Sequence, residues 1–260
     1  LSENAQVSRI GLSAAASAAW NVLFSPPIAH RGLWSPRGAP ENSMAAFDAA
    51  CRAGYGMELD AQLSSDGEVM VFHDAHLARM AGAAANLHEK TAAELMTLRL
   101  NNTAQTIPTL RQVLDHVAGR SLILVEIKSR AGEEGPLDQQ VASLIEGYQG
   151  PLAIIGFNPY SHAWWAEHRP EMLRGLNIHA HDSDAGVALP ADQLRAKVLG
   201  NVAIARPHFL APGIDMLPSS PADQLRAEGF PMVAWTLRSA DAWDSARPYV
   251  DNLIFEGFAP

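Results

Sequence analysis

"IAHRGLWSPRGAPEN", Ile28 to Asn42, joins a short apolar run to a polar loop through His30 and Arg31. Two glycines, two prolines and Glu41 follow. An apolar run ending on a histidine and an arginine fits a strand that reaches the surface and turns. It equally fits a strand whose end opens on a functional site. The stretch also separates two α/β architectures. A doubly wound open sheet usually carries a glycine-rich phosphate turn after its first strand, and "HRGLWSPRG" lacks the G-x-G-x-x-G pattern. A barrel needs no such turn, and its sites sit where the strands end.

Outward from this stretch, apolar runs alternate with helical patterns. The runs read as strands at 27–30, 56–61, 69–73, 122–127, 152–157, 174–179, 202–205, 232–237 and 252–255. "ENSMAAFDAACRAG" reads as a helix stopped by Gly54, a residue suited to the left-handed end of a helix. "TLRQVLDHVAG" starts on Thr109 as its cap and stops at Gly119. Further helices are expected at 136–148, 160–168, 191–199, 221–228 and 239–246. Strands alternating with helices imply parallel pairing through right-handed crossovers. Eight strands plus one extra predict a (β/α)8 TIM barrel, with the open sheet as the alternative. One crossover is irregular. Between Asp60 and Thr109 a hairpin-like stretch turns at Ser65-Asp66-Gly67 and then runs on too far for a simple loop. It reads as a small insertion subdomain after the second strand, at about residues 62–108. The expectation is a single domain over residues 1–260, with 1–27 as an N-terminal extension.

Composition narrows the function. Of 260 residues, 48% are apolar, enough for a sizeable core. Lys plus Arg number 19 and Asp plus Glu 28, a net charge of −9. Nucleic-acid binding needs a basic surface, so this class is excluded. An anionic small substrate would need cations placed locally. The one cysteine, Cys51, lies among helical alanines and reads as a structural thiol. "IGLSAAASAAWNVLF" falls short of the roughly 20 apolar residues of a membrane span. It reads as an N-terminal helix packed on the domain, so no stable membrane insertion is expected. A cytoplasmic location is the expectation, with the periplasm left open, and the oligomeric state is not set by the sequence.

The chemistry gathers at strand ends. In "GMELDAQL", Glu58 and Asp60 are two apart and face the same side of a strand. Alone they fit an exposed edge, an acid–base pair, or oxygen ligands for a hard cation such as Mg²⁺ or Ca²⁺. "LILVEIKSR" adds Glu126 and Lys128, again two apart at the end of a buried run. "VMVFHDAH" adds His73, with Asp74 placed to orient it or to cap the following turn. Two histidines suit general acid–base work near neutral pH. Arg31 can fork onto phosphate oxygens. A cation, two histidines, an arginine and a lysine together make a site for phosphodiester cleavage.

The segments "AHRG", "PENS", "ELDAQLSSDGEVMVFHD", "IPTL", "EIK", "FN" and "VAWTLR" occur in the order and spacing of the glycerophosphodiester phosphodiesterase family, which the chain resembles from Ile28 to near Phe255. The resemblance implies a TIM barrel with an inserted subdomain. It implies a metal-dependent hydrolase that releases glycerol 3-phosphate and an alcohol. On it, Glu58, Asp60 and Glu126 match the ligands of one divalent cation, and His30 and His73 the catalytic pair. Arg31 and Lys128 match the phosphate-binding cations, and Trp235 the aromatic wall of the substrate pocket. Glu41 matches the acid of the "PEN" motif, at or just behind the metal ligands. There are departures. "PENS" stands for the usual "PENT", and "DNLIFEGFAP" for the usual "DGIITD-x-P", so Asn252 replaces a glycine and Glu256 stands near the usual aspartate.

Other motifs read as structural: His179 and His181 as ordinary rim residues, and Trp164-Trp165 as helix-to-barrel packing. "RPHFLAP" leaves His208 as a candidate neighbour of the pocket. The rival readings are a related phosphodiesterase acting on lysophospholipid or other diesters, and an inactive binding protein on the same fold. The second predicts the loss of a carboxylate or histidine, and none is lost.

Overall fold

The computed structural model describes residues 14–130, 132–180 and 189–260. Eight parallel strands form a nearly closed barrel: β1 (Ile28–Ala29), β2 (Gly56–Leu63), β4 (Ile123–Ile127), β5 (Leu152–Gly156), β6 (Arg174–Ile178), β7 (Phe209–Pro212), β8 (Val233–Leu237) and β9 (Asn252–Phe255). β3 (Val69–Val71) pairs antiparallel with the end of β2 and stands outside the ring. The order around the ring is β7-β6-β5-β4-β2-β1-β9-β8. β7 and β8 meet through the parallel bridges Leu210–Met232 and Gly213–Trp235.

Period two along the strands explains the layering. Met57, Leu59, Ala61, Ile123, Val125 and Ile127 pack with the helices in one outer cluster. The alternate residues Ile28, Leu122, Leu124, Ala153, Ile155, Phe209, Val233 and Ile254 cluster with one another. They are the barrel interior. The N-terminal helix Ala14–Leu23 joins this interior cluster through Ala16, Ala19, Trp20 and Leu23, closing one end of the barrel. Asn252 anchors it. Its amide donates to the carbonyls of Leu23 at 2.7 Å and Pro26 at 2.9 Å. The departure from glycine at this position thus ties the extension to β9.

Beyond β3, Met70, Phe72, Leu77, Met80, Leu87, Leu95, Leu100 and Ile107 form a separate small core. Short helical turns carry it, with Thr91 capping one through a reciprocal bond with Glu94. Helix Met44–Ala53 starts on Ser43, whose hydroxyl accepts from the Ala46 amide, and stops at Gly54 with φ +74°. Gly32 has φ +79°, and a β-carbon there would sit 2.9 Å from the Ala46 backbone, so only glycine fits this turn.

One expected strand differs. Residues 202–205, read as a strand, are the last turn of a helix over Ala191–Ala205. Its buried residues Leu194, Val198 and Ala205 recur at helical spacing, which overrides the β-branched Val202 and Ile204. The strand in this part of the ring is instead β7, in "FLAP", a short run masked by Pro207 before it and Pro212 at its end. This placement also answers the question of His208. It precedes β7 and bonds the backbone of Arg174 at the start of β6, at the end of the barrel opposite the site described next.

Candidate active site

The interior face of β4 reads Leu122, Leu124, Glu126, Lys128, apolar below and charged at the C-terminal end of the strand. β2 supplies Glu58 and Asp60 on its interior face. The parallel register sets Asp60 directly beside Glu126. Lateral pairing therefore joins two motifs that lie far apart in the chain. Oxygens of Glu58, Asp60 and Glu126 lie within 4.8 Å of one another. The three residues are 1%, 0% and 7% exposed.

Three carboxylates this close and this buried repel one another. Burial, then Asp60 and Glu126, push the Glu58 carboxyl well above its usual range. Burial also acts to raise Asp60, but Lys128, Arg31 and the two histidines outweigh it and hold this carboxyl down. The Lys128 ammonium lies 2.6 Å from Glu126 and 2.9 Å from Asp60 Oδ1, in the second case off the hydrogen-bond direction. Asn42 donates to the other Asp60 oxygen at 2.7 Å. Glu58 accepts from the Arg31 backbone N–H at 3.0 Å through one oxygen, while its buried Oε1 has no hydrogen-bond partner. A buried, unpaired carboxylate oxygen in an all-oxygen donor set fits a hard divalent cation.

Both histidines are held from behind. His30 follows β1, and its Nδ1 lies 2.6 Å from Glu256, which follows β9. Its Nε2 faces the triad, 3.8 Å from Glu58. Burial alone would raise the Glu256 carboxyl, but the hydrogen bond and charge of His30, with Arg238, bring it down to about 2. Glu256 is therefore ionised, and His30 Nδ1 carries the proton it shares. His73 follows β3, and its Nδ1 lies 2.8 Å from Asp74. The Gln62 amide donates to the carbonyls of Phe72, His73 and Asp74 at 2.6–3.1 Å, pinning the loop that carries the ring. Arg79 donates to both Asp74 and Glu41, and Arg31 donates to Glu41 at 2.9 Å. Glu41 thus orients two arginines and is not among the three clustered carboxylates.

One cavity of about 170 Å³ is lined by His30, Arg31, Glu58, His73, Glu126 and Lys128, with Trp235 as a wall. The Trp235 indole donates to the Ala211 carbonyl at 2.7 Å and meets the Phe157 ring edge-on. Every residue singled out for catalysis, phosphate or metal is at this end of the barrel. His179 is in ring contact with Phe157 at the rim, and His181 lies outside the described residues. Trp165 is fully buried in the outer cluster and Cys51 packs against it. The sequence reading passed over Asn42, Gln62, Arg79 and Asn177. Asn42 sits inside the quoted "PEN" motif and Gln62 two places after Asp60, so period two on β2 pointed at the latter.

Comparison with known proteins shows the family and the fold. The model of the glycerophosphoryl diester phosphodiesterase family matches residues 30–254. A glycerophosphodiester phosphodiesterase of Bacillus altitudinis is 35% identical over 131 residues, 47% of this chain and 53% of that protein. One from Caldanaerobacter subterraneus is 31% identical over 144 residues, 52% of this chain and 58% of that protein. The chain spans little more than half the length of these curated relatives. An Oleispira antarctica phosphodiesterase solved with the product sn-glycerol-3-phosphate superposes with a TM-score of 0.76 at 24% identity, covering 92% of this chain and 95% of that one. A Thermotoga maritima glycerophosphodiester phosphodiesterase superposes at 0.68 and 25% identity, over 88% and 92%. With the family model running from His30 at the first strand end to Ile254 in the last strand, and so across the whole ring that carries the carboxylates and histidines, the chain belongs to the glycerophosphoryl diester phosphodiesterase family.

Proposed function

We propose that the protein hydrolyses glycerophosphodiesters to glycerol 3-phosphate and an alcohol. The observation that carries this reading is the meeting, in one cavity, of a buried carboxylate triad, two carboxylate-backed histidines and two cations. Glu58, Asp60 and Glu126 would hold one divalent cation, Mg²⁺ or Ca²⁺, which when bound polarises the phosphoryl group and offsets its developing charge. Arg31 and Lys128 hold the phosphate oxygens, the local cations that an acidic chain requires. His30 and His73 share the proton transfers. One takes the proton of the nucleophile, which is water or the substrate's own glycerol hydroxyl, the latter giving a cyclic phosphate that water then opens to glycerol 3-phosphate. The other gives a proton to the departing alkoxide as its bond to phosphorus breaks. Glu256 and Asp74, by occupying the Nδ1 sides, leave each Nε2 to do this work. Trp235 walls the pocket.

Support for small soluble diesters over bilayer lipid comes from the narrow cavity. Among the described residues, no helix is long and apolar enough to cross a membrane. The test is hydrolysis of glycerophosphocholine, glycerophosphoethanolamine and lysophospholipids after metal depletion and restoration. Activity should vanish on chelation and return with Mg²⁺ or Ca²⁺. Metal-indifferent cleavage would overturn the assignment of the triad, and faster cleavage of lysophospholipids the assignment of substrate.

A further inference from the structure

We propose that a groove beside the catalytic cavity seats the alcohol half of the substrate and is built for a polyhydroxylated alcohol, not a quaternary ammonium. This rests on the hydrolase reading above. The catalytic cavity, at about 170 Å³, is smaller than the roughly 300–1,000 Å³ of pockets that enclose a full-sized ligand. A larger depression of about 610 Å³ adjoins it, and the two share Phe157 and Asn177. A diester held at its phosphate by Arg31 and Lys128 has one arm that passes these two residues into the groove.

Asn177 stands at that threshold. It lies on β6 and is 6% exposed, and its buried Oδ1 has no hydrogen-bond partner. An unpaired buried polar atom is destabilising, and a ligand that satisfies it removes that cost. The amide can present either its oxygen or, turned over, its NH₂ group. A hydroxyl can answer both, as donor or acceptor. A trimethylammonium group has neither and leaves the atom unpaired.

Charge argues the same way. Arg130 and Lys197 line the groove, and among the described residues no acid does. Phe157 and Tyr160 are among the exposed large apolar side chains. An aromatic face attracts a quaternary ammonium. Two neighbouring cations and an unanswered amide oppose that gain. For a polyol the same rings offer apolar surface to C–H edges, while the hydroxyls meet Asn177 and the basic side chains.

The experiment measures kcat/KM on glycerophosphoinositol, glycerophosphoglycerol and glycerophosphocholine, each with the metal restored. The two polyol diesters should exceed glycerophosphocholine by about tenfold, the value of roughly 1.4 kcal/mol. Asn177→Leu should bring that ratio down toward one. Lys197→Glu, at an exposed position of the groove wall, should lower it as well by favouring the cationic headgroup. This second variant keeps the test open if Asn177→Leu fails to fold. A wild-type ratio near or below one, or a ratio unmoved by the variants that fold, overturns the groove assignment and leaves the hydrolase reading standing. No cleavage of any diester overturns both.

Discussion

Replacing Glu256 with glutamine keeps the shape behind His30 and removes the charge. In the structure the Glu256 carboxylate lies 2.6 Å from His30 Nδ1, and His30 Nε2 points at the triad. Glutamine has an NH₂ group that can donate to Nδ1 in place of accepting from it. The ring then carries its proton on Nε2, the nitrogen that must be free to accept one. A charge-assisted hydrogen bond contributes about 1.5–3 kcal/mol, and most of that would be realised as the imidazolium forms. A loss of about 2–3 kcal/mol at the transition state lowers kcat by roughly 30- to 150-fold. KM should change little, because Arg31 and Lys128 are untouched. The assay is a steady-state pH series on glycerophosphocholine with restored metal, wild type against Glu256→Gln, with one limb of the pH profile displaced in the variant. Arg238→Gln is the control. Arg238 also reaches Glu256, at 2.6 Å, but its side chain is 67% exposed, and solvent screens such pairs to about 0–1 kcal/mol. It should cost less than about fivefold. If Glu256→Gln kept kcat within threefold with a superimposable pH profile, the orientation of His30 by Glu256 would be refuted.

His30→Ala and His73→Ala should each lower kcat by about 10²–10⁴-fold while calorimetry still detects divalent-ion binding, and near-full activity in either would return that histidine to a structural role. Glu58→Gln should melt no lower than the wild type without metal, since burial with Asp60 and Glu126 already disfavours an ionised group at this position. It should also lose the rise of roughly 5–10 °C expected at about 100 times Kd of Mg²⁺ or Ca²⁺, measured by scanning calorimetry. Asn252→Gly deletes both bonds to the N-terminal segment and should destabilise by about 1–3 kcal/mol, read by urea unfolding, with faster proteolysis before Ile28. Burial lowers the His162 pKa to about 4, with Arg174 adding and the Gly156 carbonyl opposing. The unfolded chain therefore binds more protons between about pH 6.5 and 4. Stability from this residue is complete above about 6.5 and lost as pH falls toward 4, about 2 kcal/mol by pH 5, which urea midpoints at neutral and mildly acid pH would register.

The sequence by itself determined the barrel, because alternation of apolar runs and helical periods is a local property and parallel pairing follows from it. It determined the triad on β2 and β4 because spacing by two fixes a common face whatever the partner. Gly54 and Thr109 were legible because helix ends and caps are chemistry between neighbours in the chain. What only the tertiary structure decided is lateral. The register that sets Asp60 beside Glu126, the Glu256 carboxylate behind His30, and the Asn252 amide on the N-terminal helix each join segments that no periodicity connects. The misread stretch at 202–205 has the same cause. Val202 and Ile204 favour a strand locally, and the burial of Leu194, Val198 and Ala205 against the barrel makes a helix. Asn177 is the extreme instance: an asparagine in a strand carries no signal of its own. Only the closing of the ring buries its oxygen unpaired beside the catalytic cavity.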